Sequence, residues 1–191
     1  MKPTLALLGL ALLAGCRSGD STATADGRYG IGRPADAALV AQMNQDVNPA
    51  GVGLPEGRGT VAEGAALYAA QCAMCHGADG RGMPPAFPRL LGREPKAEGF
   101  TFADDYKLPH TIGNYWPYAT TLFDYIKRAM PLTAPGSLTD SQVYALAAYL
   151  LAAEDVIPDS STLDAAALRA VRMPYVDRFR WSAEAGGAGR D

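Results

Sequence analysis

The chain has 191 residues, 48% hydrophobic and 19% charged, with 17 Lys and Arg against 20 Asp and Glu for a formal net charge of −3. This mildly acidic balance argues against a nucleic-acid binder, which needs a cationic face, and past residue 15 no apolar run reaches the roughly 18 residues of a membrane span. The 21 Gly and 14 Pro predict short helices among many turns, in one domain of ordinary size.

Residues 1–15 read as a secretory signal peptide. Lys2 heads an apolar stretch from Leu5 to Leu13, too short to cross a bilayer, and the small residues Ala14 and Gly15 follow. Leu13-Ala14-Gly15-Cys16 resembles a bacterial lipobox, which implies cleavage before Cys16 and lipidation of its thiol. An ordinary signal peptide with an incidental cysteine is the alternative. Acyl chains on Cys16 would anchor the protein at a membrane surface, at about 0.8 kcal/mol per buried methylene. Residues 16–27 are small and polar and read as a flexible tether. The expectation is an exported protein, lipid-anchored on the periplasmic side of a bacterial membrane. Residues 28–59 follow as an N-terminal extension with a short helix around Asp36 to Met43.

Thr60-Val61-Ala62-Glu63 is a capping box opening a helix through Ala65, Tyr68 and Ala69 to Cys72. There Cys72, Cys75 and His76 form C-x-x-C-H, the signature of covalent c-type haem attachment. Positions i, i+3 and i+4 share a helix face, so both thiols can add to the vinyl groups while His76 reaches the iron as proximal ligand. A zinc site would need two more ligands, and with Cys16 lipidated only His110 remains. A thioredoxin-like dithiol follows a strand, whereas here a helix precedes the motif. With three cysteines in all, the chain is expected to carry one haem c.

A second helix is expected to start at Pro117, to carry Leu122, Phe123 and Ile126, and to stop at Met130-Pro131. Met130, at a helix end before a proline, is the favoured sixth ligand. Met83 lies too close to the haem-binding turn, Met173 falls beyond the last core helix, and His110 is a lone loop histidine. A second capping box, Thr139-Asp140-Ser141-Gln142, opens a helix through Val143, Leu146, Ala147 and Leu150, and Gly64 would let the first helix approach Tyr149 on it. Residues 60–153 therefore read as a haem domain of three main helices with no competing strand pattern. Residues 154–191 read as a C-terminal extension and tail, disordered over Glu184 to Asp191.

This mainly α arrangement resembles the class I cytochrome c fold, whose first and last helices cross beside the haem. The resemblance also expects a methionine where Met130 stands. His/Met ligation raises the potential relative to bis-His. The stretch Pro84 to Gly92 resembles the class I proximal segment, implying that the Pro88 carbonyl accepts the hydrogen of the ligand imidazole. Arg89, Tyr115 and Trp116 read as donors to haem propionates, with the two aromatics equally well read as core residues.

A closer resemblance rests on Tyr29-Gly30-Ile31-Gly32-Arg33-Pro34, on Trp116-Pro117-Tyr118-Ala119-Thr120-Thr121-Leu122-Phe123-Asp124-Tyr125-Ile126 and on Ala170-Val171-Arg172-Met173-Pro174. Over residues 28 to 176 the chain is similar to the cytochrome subunits of Sox-type sulfur dehydrogenases (the SoxD family) and of sulfite dehydrogenases. That implies a molybdenum-cofactor dehydrogenase subunit as electron donor, and a downstream cytochrome or oxidase as acceptor. Fuller members carry two haems, whereas this chain has a single C-x-x-C-H. The expected function is monohaem electron transfer without a catalytic residue. The alternative is a haem enzyme or ligand sensor with an open or displaceable sixth position.

Overall fold

The computed structural model describes residues 33–93 and 107–179. The signal peptide, Cys16, the tether and the tail from Glu184 to Asp191 lie outside the described residues. The chain divides into two compact units, residues 1–42 and 43–191. Helix α1 (Ala37–Met43), whose last residue is the first of the second unit, is opened by Asp36, whose carboxylate accepts the N–H groups of Ala38 and Leu39.

The second unit runs β1 (Arg58–Thr60), α2 (Val61–Gln71), α3 (Ala73–His76), α4 (Ala119–Ala129), α5 (Asp140–Ala152), β2 (Thr162–Asp164), α6 (Ala165–Ala170) and a 3₁₀ turn at Val176–Arg178. Both expected capping boxes form. Thr60 Oγ1 accepts the Glu63 N–H at 3.2 Å and the Glu63 carboxylate accepts the Thr60 N–H at 2.8 Å. Thr139 and Gln142 repeat the exchange at the head of α5. Each box satisfies amide donors that the helix itself leaves without acceptors.

Helix α4 starts later than Pro117 suggests. Tyr118 is extended at φ −138° and serves as N-cap, so the helix runs only from Ala119. It ends where expected: Met130 is extended at φ −121° and ψ 150°, the conformation that a following proline enforces. Beyond the helices, two short strands at the edges of the 60–153 domain, β1 and β2, pair antiparallel with Gly59 opposite Leu163. Three residues are too few for an alternating pattern to announce a strand.

The core lies where α2 crosses α5. A Cβ on Gly64 would overlap the Ala145 carbonyl oxygen and come within 2.7 Å of Tyr149 Cβ, so the two backbones meet at a point only glycine permits. Phe123 of α4 packs its ring against Tyr144 of α5 at 4.5 Å, and Val143, Ala147, Ala148 and Leu151 fill the space around them. Leu168 of α6 and Met173 seal the far side.

Segment 46–55 is fastened across the helices by polar contacts. The Asp124 carboxylate accepts the Val47 N–H at 2.8 Å, Thr120 Oγ1 donates to Pro49 O at 2.9 Å, and the Tyr144 hydroxyl donates to Pro55 O at 2.9 Å.

Candidate functional site

The end of α2 becomes the site. Cys72 closes α2 and opens α3, and its carbonyl accepts from Cys75 N at 3.1 Å and His76 N at 2.9 Å. The two thiols and the imidazole thus stand on one helical turn. The Tyr68 hydroxyl donates to Gly77 O at 2.9 Å and ties that turn back to α2. Burial pushes the Tyr68 phenol up to about 12, so it stays a neutral donor at ordinary pH.

His76 is oriented by the segment that follows it. Its Nδ1 lies 3.4 Å from the Pro88 carbonyl oxygen. A carbonyl only accepts, so the contact places the proton on Nδ1 and leaves the Nε2 lone pair free for a metal. Gly82 N donates to His76 O at 2.8 Å. Gly82 sits at φ +73°, and a Cβ there would lie 2.6 Å from Phe87 O and 2.7 Å from Pro88 O. Only glycine allows the turn to close on this carbonyl.

The donor set fits a covalently held haem. Cys72 and Cys75 are half-buried free thiols. Burial, then the neighbouring Cys75, pushes the Cys72 thiol up, the reverse of the lowered value a nucleophilic dithiol requires. Among the described residues, no group of three or more His, Cys, Asp and Glu side chains is placed to hold a metal ion. Arg89 Nε donates to Leu91 O at 2.7 Å, while its Nη2 is buried without a hydrogen-bond partner among the described residues. A buried guanidinium nitrogen so placed calls for an anionic acceptor such as a propionate.

Trp116 fits the core alternative. Its single N–H, the side chain's one donor, goes to Thr121 Oγ1 at 3.0 Å, and the ring packs against the core. Tyr115 stacks on His110 at 4.1 Å and meets the edge of Phe179 at 5.3 Å. Met130 is half-buried at the end of α4, its N–H bonded to Ile126 O at 3.1 Å. Met173 is 2% exposed and belongs to the apolar core, whereas Met83 is 45% exposed.

Two groups escape the sequence reading. One is Asp124, buried on α4, which joins Val47 to Arg128. Burial pushes its carboxyl up, but the Arg128 side chain and the Val47 amide outweigh that and hold it below the usual carboxylate range. The other is Glu154, 2% exposed just past α5. Its Oε1 accepts the Gly92 N–H at 2.5 Å, and its Oε2 lies 4.0 Å from Arg93 Nε. Burial dominates there and pushes the Glu154 carboxyl up against the opposing effects of the Gly92 amide, Arg93 and Arg89. The available signal is an acid after a helix C-terminus, where the helix dipole disfavours it.

The family described as cytochrome c matches residues 61–154. The thiosulfate dehydrogenase of Stutzerimonas stutzeri (strain A1501) is 32% identical over 125 residues, 63% of this chain and 36% of the relative. The chain therefore spans little more than a third of that enzyme. A chain in the crystal structure of the sulfane dehydrogenase SoxCD from Paracoccus pantotrophus superposes with a TM-score of 0.69 at 33% identity, over 81% of this chain and 73% of that one.

Proposed function

Because the chain belongs to the cytochrome c family, whose members hold haem c covalently and transfer electrons, we propose that it is a monohaem one-electron carrier serving a sulfur dehydrogenase. The observation that carries this reading is the single turn bearing Cys72, Cys75 and His76, with His76 Nδ1 held toward the Pro88 carbonyl. When bound, haem c supplies the one-electron iron couple.

The chain's own residues do the rest. Cys72 and Cys75 are the thioether positions. The Pro88 carbonyl fixes the ring of His76, so Nε2 presents its lone pair in one direction and the imidazole keeps some anionic character. Met130, extended at the end of α4 before Pro131, would be the second protein ligand to the iron. With Met173 committed to the core, it is the methionine we assign to the iron. Arg89, whose Nη2 is buried without a hydrogen-bond partner among the described residues, would neutralise a haem propionate. Two fixed ligands let the charge change with little movement of the protein.

The likeness to a chain of SoxCD and to a thiosulfate dehydrogenase supports a donor that oxidises reduced sulfur. In our reading that donor is a molybdenum-cofactor subunit, and the acceptor is a further cytochrome or an oxidase. Export by residues 1–15 and lipidation at Cys16 would keep the carrier near both partners at the membrane.

Optical spectra of the purified protein, oxidised and reduced, with and without carbon monoxide, test the assignment. The expected result is a methionine-to-ferric charge-transfer band that is lost in Met130→Ala, with carbon monoxide binding to the reduced variant but not to the reduced wild type. A wild-type protein that is high-spin, or that binds carbon monoxide readily, has an open iron. Such a result overturns the carrier reading in favour of a haem enzyme or a sensor.

A further inference from the structure

The segment Pro88–Arg93 touches three parts of the protein at once. Leu90 N and Leu91 N both donate to Gly80 O, at 2.9 and 3.0 Å, which joins the segment to the turn bearing His76. Leu90 O accepts from Ile112 N at 2.9 Å, and Gly92 O accepts from Thr111 Oγ1 at 2.7 Å. The third anchor is the Glu154 carboxylate on the Gly92 amide. That carboxylate is enclosed: a Cβ on Gly113 would overlap Glu154 Oε2 and come within 3.0 Å of Arg93 Cγ.

Among the described residues, the charges facing Glu154 are Arg93 and Arg89 from the segment and Asp155 beside it in the chain, the first two attractive and the last repulsive. Arg93 Nε, like Arg89 Nη2, is buried without a hydrogen-bond partner among the described residues. Glu154 is thus an ionisable group shielded from water and hydrogen-bonded to the backbone that runs on to Pro88. A charge in such surroundings is felt strongly by its neighbours.

We propose that Glu154 is a positioning residue for the His76 ligand: it holds the Pro88–Arg93 segment, and its ionisation sets the midpoint potential of the haem iron. The inference rests on the carrier reading above. An ionised Glu154 favours the ferric state, because negative charge stabilises the more positive iron, so the potential falls as the proton leaves. The raised carboxyl value puts this loss above the usual carboxylate range, toward working pH.

Spectroelectrochemical titration of the haem-loaded full chain, between about pH 5 and pH 8, is the test. In the wild type the potential is expected to fall with pH through one titration and to level off on either side. Glu154→Gln, which keeps an acceptor for Gly92 but carries no charge, should stay at the upper level throughout. Arg93→Met removes the facing cation and should move the wild-type inflection to higher pH. A Glu154→Gln variant with the wild-type slope overturns the proposal and leaves the carrier reading intact. Should that variant fail to load haem, an Arg93→Met inflection at the wild-type position overturns it equally. A wild type without a reversible one-electron couple removes the carrier reading and this inference with it.

Discussion

The crossing of α2 with α5 and the turn from Gly77 to Arg93 are held together by different physics. The crossing is apolar, with Gly64 against Ala145 and Tyr149 and a core of Phe123, Tyr144 and Leu151 beside it. The turn is polar. It is fastened through Gly80 O, Gly82 N, Gly92 N and Pro88 O, and by the Glu154 carboxylate. Close packing tolerates no added atom but is indifferent to pH. A polar fastening tolerates small changes of shape but responds to charge. The crossing is therefore set by close packing, and the turn by polar contacts.

The largest effect that would sharpen this contrast is expected from Gly64→Ala. The new methyl must push α2 off the Ala145 carbonyl, costing on the order of 3 kcal/mol. Denaturant unfolding should show the loss at every pH, and a stability unchanged from wild type would mean that the crossing is looser than described.

Asp124→Asn tests the polar style elsewhere in the same unit. It weakens the joint between Val47 and Arg128, and the loss should be about 1 kcal/mol because half of the Arg128 side chain is in solvent. The sign with pH is definite. The folded-state value of Asp124 lies below its unfolded one, so its contribution is full above the unfolded value of about 3.9 and disappears as pH falls through the folded value. Thermal melts should show wild type and variant converging in acid. A gap that persists there would mean that the carboxylate charge is not what joins the two segments.

The smallest change is Thr139→Ala at the head of α5. It removes the acceptor for the Gln142 N–H and should cost about 1 kcal/mol, without pH dependence, because both partners are neutral. A pH-dependent loss in the same melts would place Thr139 with the polar fastenings instead of with the helix.

Local features were legible in the chain. Two capping boxes, the end of α4 before Pro131 and the spacing of Cys72, Cys75 and His76 depend on residues within four positions of one another, where geometry follows from bonding and turn chemistry alone. The approach of Gly64 to Tyr149 was also readable, because a residue without a side chain on a buried helix face admits a neighbouring backbone. The Pro88 carbonyl was expected on resemblance, and its distance to His76 agrees with that expectation. The start of α4 was misjudged because Tyr118 adopts an extended backbone although Pro117 is itself compatible with a first helical turn.

What only the tertiary structure decided are the pairings across long separations. Gly92 and Glu154 lie 62 positions apart, and Val47 and Asp124 lie 77 apart. Strands β1 and β2 meet only because α2 and α5 bring their flanks together. Which use Trp116 makes of its single N–H, and which methionine is spent on the core, were settled in the same way. That Cys72, Cys75 and His76 share one turn is a matter of residue type and short spacing, which sequence carries directly. The environment of that turn depends on which distant groups share its burial, and that exists only once the chain has folded.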